Sequence, residues 1–263
     1  MSRIIRKFET PREEEKIWRY LDFTKFVSML DKKSLTFTRV DRLSDPFEGS
    51  YSKPNINARS ESSSYNSNYG DNCENMSEVF KKLREYAFVN CWHINDDESA
   101  AMWKSYLKSD EGVAIQSRFY KLDDVLKNSN SKDLGIGNVI YINYDLDYMN
   151  DDNPIFAFFY KRKSFAYENE LRAAFLCIPK KSGDYLDLPN TEESYEEDVL
   201  DLNIKLDYHV YYIPVNLNAL IERIYVSPTA EDWFYELVQS VVRKYGLDVN
   251  SVLRSNLADD PIF

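Results

Sequence analysis

Hydrophobic and polar positions follow two rhythms along this chain. Trp18-Arg19-Tyr20 reads as a short extended piece, and Phe23, Phe26, Val27 and Leu30 then recur at helical spacing. Leu35-Thr36-Phe37-Thr38 alternates, which predicts a strand ended by the Ser44-Asp45-Pro46 turn, where proline cannot continue a ladder. Helical patterns are predicted over 78–86, 99–107, 122–126, 156–160 and 230–245, with one short turn at 217–222. Strand patterns fall at 87–92, 113–116, 139–144, 165–178, 209–215, 223–226 and 252–255. Asn95 to Asp97 offer N-caps for the 99–107 helix, Pro154 can open a helix at its first position, and Gly246 follows the last helix. Helices and strands alternate irregularly, which predicts an α+β fold, a single domain with a mainly antiparallel sheet flanked by helices, rather than a regular βαβ array. The reading divides the chain into a charged N-terminal arm at 1–16, one domain at 17–256 and a C-terminal tail at 257–263. Residues 50–75, rich in Ser, Asn and Tyr, read as a long loop, either a lid or a surface insertion, and 190–201 as an acidic loop.

Composition narrows the function classes. Apolar residues make up 43% of the 263, enough for a sizeable core, and 20 Tyr with 15 Phe supply side chains that suit a cleft as well as a core. Only 7 Gly are present, which argues against phosphate cradles built from glycine-rich loops. A formal net charge of −11 repels phosphate backbones and anionic membranes, so non-specific nucleic-acid binding is not expected; Lys161-Arg162-Lys163 is the one compact basic run against that trend. The same charge leaves a basic protein partner as an expectation. Cys73, Cys91 and Cys177 are dispersed and odd in number, without CxxC spacing, so a reducing compartment is expected. The first residues carry charge and no apolar signal region, no stretch is long enough to cross a membrane, and a cytoplasmic location is expected.

Three groups of residues can carry chemistry. In Tyr167-Glu168-Asn169-Glu170-Leu171-Arg172, read as strand, Glu168, Glu170 and Arg172 share one face and Tyr167 and Leu171 the other. Two carboxylates on one face raise a pKa and a nearby Arg lowers it, so Glu168 and Glu170 are candidate catalytic groups with Arg172 beside them; the alternative is a solvated face with a salt bridge. Trp103 and Tyr106, three apart on a helix, can form an aromatic wall or ordinary core packing. Arg19 and Tyr20 lie in a short aromatic strand, where Arg19 either meets an anionic ligand or pairs with Asp45 or Glu48 to pin the turn. Arg19, Tyr20, Trp103, Tyr106 and Arg172 are thus the candidate substrate-binding residues. With His93 and His209 the only histidines, no zinc pattern exists, so no metal ligand set is assigned; Cys91 and His93, two apart, could meet as a nucleophilic pair.

These residues in this order resemble the bacterial domain of unknown function 2971 family. The resemblance runs through Trp18-Arg19-Tyr20, residues 30–37, Ser44-Asp45-Pro46-Phe47-Glu48, Trp103 to Tyr106 with Gly112-Val113-Ala114-Ile115, the Tyr167 to Arg172 run, residues 221–228 and Ser255, so it covers roughly 17–256. The family most often has a His where Lys104 or Ser105 stands and an Asn where Ser44 stands; without that His the helix supplies no general base. That family label implies no activity. The order of elements is also similar to that of ADP-ribosyltransferase-like domains. This second resemblance implies that Arg19 or Tyr20 holds NAD, Trp103 or Tyr106 stacks on its nicotinamide, and Glu168 or Glu170 contacts the ribose. NAD would then be a substrate, a nucleotide ligand rather than a resident cofactor, and the protein a transferase or NAD-cleaving toxin or phage-defence effector. The alternatives are a non-catalytic interaction module and a metal-dependent nuclease that uses Glu168 and Glu170 as ligands.

Overall fold

The structure, a computed structural model, describes residues 4–5, 8–61, 76–107, 109–129, 134–181, 185–188 and 201–261. Its strands are β1 (Ile4–Ile5), β2 (Lys16–Asp22), β3 (Ser34–Arg39), β4 (Ala87–Ile94), β5 (Gly112–Arg118), β6 (Leu134–Asn138), β7 (Ile140–Ile142), β8 (Tyr160–Arg162), β9 (Glu170–Pro179), β10 (Tyr185–Leu188), β11 (Val210–Pro214), β12 (Arg223–Val226) and β13 (Val252–Arg254). Its helices are α1 (Phe23–Lys32), α2 (Lys53–Glu61), α3 (Met76–Leu83), α4 (Ala100–Tyr106), α5 (Phe119–Lys127), α6 (Leu217–Leu220) and α7 (Asp232–Lys244). Eleven strands form one sheet, ordered β1-β6-β9-β4-β2-β5-β12-β13 with β10, β3 and β11 attached to its side, and most pairs in it are antiparallel. This is an α+β fold, a mainly antiparallel sheet flanked by helices, as the pattern predicts.

The local chemistry explains why these segments take these forms. Asp22 caps α1 by accepting from the Lys25 amide, and Phe26, Met29 and Leu30 fill the buried side of that helix. Gly246 at φ 77° closes α7, whose Phe234, Val238 and Val242 are buried. Asn153 and Pro154 start a tight helical turn over Pro154–Phe159. The cap of α4 is Ser99, not a residue of 95–97: its Oγ accepts from Met102 N at 3.3 Å. The N-terminal segment packs onto the fold, with Phe8 stacked on Phe159 at 3.9 Å between ring centroids. Gly137 allows this approach, because a Cβ there would lie 2.1 Å from that of Phe8.

Two predicted elements differ. The reading of 50–75 as loop misses α2, whose sequence has almost no amphipathic pattern. Tertiary contacts fix it instead: Ser52 and Asn55 are buried and bond each other, Asn55 Nδ2 donates to Met149 O at 2.9 Å, and Arg59 pairs with Asp151 at 2.8 Å. Residues 62–75 of that segment, and 190–200 of the acidic loop, lie outside the described residues. The predicted strand over 165–178 begins only at Glu170. Lys163–Glu168 is a tight helical turn, and Asn169 at φ 35° reverses the chain between the two. Asn tolerates this left-handed conformation better than most residues, and its Nδ2 donates to Ile94 O at 2.7 Å, which anchors the bend.

The feature that positions the site is a fork in the sheet. One edge of β4 pairs with β9 along its length, from Ala87↔Leu176 to His93↔Glu170. The other edge is shared: Ile94 and His93 pair with β2, while Val89 and Phe88 pair with β3. Between these contacts β2 and β3 diverge and leave Asn90, Cys91 and Trp92 without a strand beside them on that side.

Candidate functional site

A cleft of about 450 Å³ occupies the fork, within the size range of small-molecule sites. Arg19 from β2, Cys91, Trp92 and His93 from β4, Met102 and Tyr106 from α4, and Glu168 and Glu170 line it, with Met29 of α1 and Thr36 and Thr38 of β3 opposite. Side chains substitute for the missing ladder: Arg19 Nη2 and Asn90 Nδ2 both donate to Thr36 O, at 3.0 and 2.8 Å.

One wall is a saturated ion cluster. Arg172 is 1% exposed; its Nε and Nη2 reach the two oxygens of Glu170 at 2.7 and 3.0 Å, and its Nη1 reaches Glu48 Oε2 and Phe158 O, each at 2.7 Å. Lys161 Nζ lies 2.6 Å from Glu168 Oε2, 3.2 Å from Glu48 Oε1 and 3.3 Å from Glu170 Oε2. Burial acts to raise Glu170, but Arg172 and Lys161 overcome it and hold this carboxyl at about 2. Burial acts to lower Lys161, and Glu170 and Glu48 outweigh it, so the ammonium stays charged. Glu168 is different. Burial raises it above the usual carboxylate value against the pull of Lys161, and among the described residues no group donates to its Oε1. Three carboxylates face two cations here, so the cluster carries one excess negative charge, and Glu168 is the member least compensated.

The other wall is unsatisfied. Arg19 Nη1 is shut from solvent and has no partner among the described residues, and burial pushes the guanidinium down to about 10. His93 is 5% exposed; its Nδ1 lies 2.5 Å from Glu168 O, a contact that requires the proton on Nδ1 and leaves Nε2 a bare acceptor. Nε2 is buried without a partner among the described residues, and burial holds the ring below its ordinary value, so it is neutral. The Tyr106 hydroxyl sits in the field of Glu168, Cys91 and Glu170 and is pushed up, first by burial and then by Glu168.

The residues singled out from sequence are placed as follows. Arg19, Tyr20, Tyr106, Glu168 and Glu170 line the one cleft. Trp103 does not: its ring packs edge-on against Tyr20 at 5.0 Å in a side core with Trp18, Met102 and Ala114. Trp103 and Tyr106 therefore part company on one helix: Met102 and Tyr106 reach the cleft, while the Trp103 ring turns into the side core. The Tyr20 hydroxyl accepts from the Ser99 amide at 2.8 Å, which fixes the ring where it lines the cleft. The expected pairing of Arg19 with Asp45 or Glu48 is absent, since Arg162 holds Asp45 at 2.8 Å, and Lys161 and Arg172 hold Glu48. The solvated-face reading of Glu168, Glu170 and Arg172 also fails, because all three are buried. The Cys91–His93 pair fails too: the Cys91 thiol is pushed up by burial and by the Glu170 charge, while His93 turns to Glu168 O. The basic run is dispersed into ion pairs, with Lys163 on Asp147 at 3.0 Å, which leaves no basic patch at 161–163.

Sequence reasoning missed Lys161, Glu48 and His93 as parts of the site. A signal for the first two existed: five charged side chains in three short motifs, Glu48, Lys161, Glu168, Glu170 and Arg172, sit among apolar neighbours that leave them no solvent. Among the described residues no group of three His, Cys, Asp or Glu side chains is arranged to hold a metal ion, and no helix is long and apolar enough to cross a membrane. Compared with protein-family models, with curated proteins and with solved structures, the chain matches none of them.

Proposed function

We propose that this protein binds NAD in the fork of its sheet and breaks the bond between nicotinamide and ribose, passing the ADP-ribosyl group to water or to an acceptor nucleophile. The observation that carries the reading is the meeting, in one cleft, of the cation Arg19, the aromatic Tyr106 and the under-compensated carboxylate Glu168. An unpaired buried guanidinium N–H suits a phosphate or hydroxyl oxygen. A tyrosine ring lining the same cleft as the carboxylate suits a flat pyridinium. Glu168, with Oε1 open to the cleft, suits a ribose hydroxyl. In the reaction the C1′–N bond breaks and its electron pair returns to the ring nitrogen, so nicotinamide leaves neutral. The positive charge that develops on the ribose is stabilised by the Glu168 carboxylate, and the incoming nucleophile bonds C1′ and loses its proton. Glu170 takes no direct part, since Arg172 and Lys161 occupy its oxygens.

The same occupancy counts against the nuclease reading: Glu168 and Glu170 are tied to cations and present no free pair to a metal. An interaction module with a basic partner draws support from the charge of −11, but that charge does not account for a cleft with unsatisfied buried groups. The test is incubation of the purified protein with NAD, reading nicotinamide release by chromatography and melting temperature by calorimetry. A ligand that binds only the folded state at a hundred times its Kd stabilises by about 2.7 kcal/mol, an easily seen shift. Release of nicotinamide together with such a shift supports the proposal; neither effect at millimolar NAD sinks it. Depletion of NAD would harm the cell that makes the protein, so slowed growth on expression, relieved by Glu168→Gln, is the readout for a toxin or phage-defence role.

A further inference from the structure

The least explained group in the cleft is the imidazole of His93. Its ring is neutral, its tautomer is fixed by the backbone carbonyl of Glu168, and the remaining nitrogen is a lone pair with no donor near it among the described residues. A buried acceptor left empty costs stability, and a cleft that keeps one is complementary to a ligand that fills it. The geometry specifies what can fill it. Only a donor serves, because Nε2 has no hydrogen of its own in this tautomer. The lone pair specifies more: a carboxylate offers Nε2 no hydrogen and would set oxygen lone pairs against it, whereas an amide N–H fills it.

We propose that His93 is a specificity-determining residue, and that its Nε2 accepts a hydrogen bond from the N–H of a primary carboxamide on the ligand and discriminates against the matching carboxylic acid. The proposal rests on the reading of the cleft as an NAD site, in which the carboxamide is that of nicotinamide. Because the carbonyl that fixes the His93 tautomer belongs to Glu168, recognition of the head group and placement of the carboxylate are set by one contact of 2.5 Å. A residue that moved Glu168 would also release the ring, so amide selection and bond cleavage are expected to fail together. Arg19 acts in the opposite sense on an acid, and its pull would dominate if the head group lay at the Thr36 side of the fork.

The experiment compares NAD with nicotinic acid adenine dinucleotide, which differs only by carboxylate in place of carboxamide, by titration calorimetry on the full chain. The wild type is expected to bind the amide at least about tenfold more tightly, since a site built for an N–H donor rejects the analogue that lacks it. In His93→Phe the preference is expected to fall at least about fivefold, and in His93→Gln, whose side-chain oxygen is also an acceptor, to be retained. Equal affinities in the wild type, tighter binding of the acid, or an unchanged preference in a folded His93→Phe would each overturn the proposal while leaving NAD as the ligand. If neither dinucleotide binds, the NAD reading falls and this one with it. Should His93→Phe fail to fold, the wild-type comparison and His93→Gln decide: loss of the preference in a folded His93→Gln also overturns it.

Discussion

Glu170 and Glu168 stand two residues apart, yet they belong to different regions of the molecule. Glu170 is in the closed cluster at the start of β9, where both of its oxygens are held by Arg172 and Lys161. Glu168 is at the seam between that cluster and the fork, where Arg19 Nη1 and His93 Nε2 have no partner among the described residues. Burial is similar on both sides, at 3% and 6% exposure, so accessibility does not separate the two carboxylates. The difference lies in whether the hydrogen-bonding capacity is used up. Saturation marks the region that holds the fold, and deficit marks the region proposed as the ligand site.

The comparison breaks first at Arg172. Arg172→Met should strand Glu170 and Glu48 as buried charges and cost about 3–5 kcal/mol in urea unfolding, and Glu170→Gln should lose much of the same network. A loss under about 1 kcal/mol would mean that the cluster does not hold the fold. Glu170→Gln therefore does not serve as a shape-preserving probe of catalysis, although the sequence alone suggests it as one. Glu168→Gln should behave oppositely: it removes the excess charge of the cluster, keeps the melting temperature close to the wild type and lowers nicotinamide release by at least about a hundredfold. Retained turnover in this variant would move the chemistry elsewhere.

Arg19→Met sharpens the contrast between walls. A desolvated guanidinium whose Nη1 has no partner among the described residues contributes little to the fold, so stability should stay within about 1 kcal/mol of the wild type while the NAD-induced melting shift disappears. A large loss of stability with ligand binding intact would reassign Arg19 to the structural side. The smallest expected effect is a pH slope from His93. Its value is lowered from 6.5, so the unfolded chain binds the proton more readily than the native one. This contribution is complete above pH 6.5 and declines as the pH falls through and below that value. His93→Gln should flatten that slope, seen in urea midpoints between pH 7 and 5, while the separate loss from Glu170, from 4.5 toward about 2, remains in both proteins.

Much of the fold is legible in the sequence because apolar spacing reports burial directly. Phe26 and Leu30 specify α1, and Phe234, Val238 and Val242 specify α7, by the same periodicity that buries them. Elements held by polar contacts are not legible this way, which is why α2, anchored through Asn55 and Arg59, reads as loop. The alternation rule also assumes a continuous strand. Asn169 breaks that assumption, and Glu168 reaches Lys161 from the end of a tight turn rather than from a pleat. At the site, residue types point to Arg19, Tyr106 and Glu168, but partners do not follow from types. That Lys161 answers the carboxylates, and that Trp103 turns into a side core, depend on where a sheet divides, which no local pattern encodes.

The fork also has a kinetic meaning. β4 meets β2 through Ile17↔Ile94, β3 through Thr38↔Val89 and β9 through Ala87↔Leu176, so its neighbours come from chain segments far before and after it. Closing such distant pairs is slow, and the cleft has no walls until β2, β3 and β4 are all in place. A ligand of this cleft finds nothing to bind in a partly assembled sheet, so it cannot hurry assembly. Its effect falls on the reverse step: in stopped-flow chevrons the folding limb should be unchanged by ligand and the unfolding limb slowed, and occupancy would act as a brake on unfolding rather than as a guide to folding.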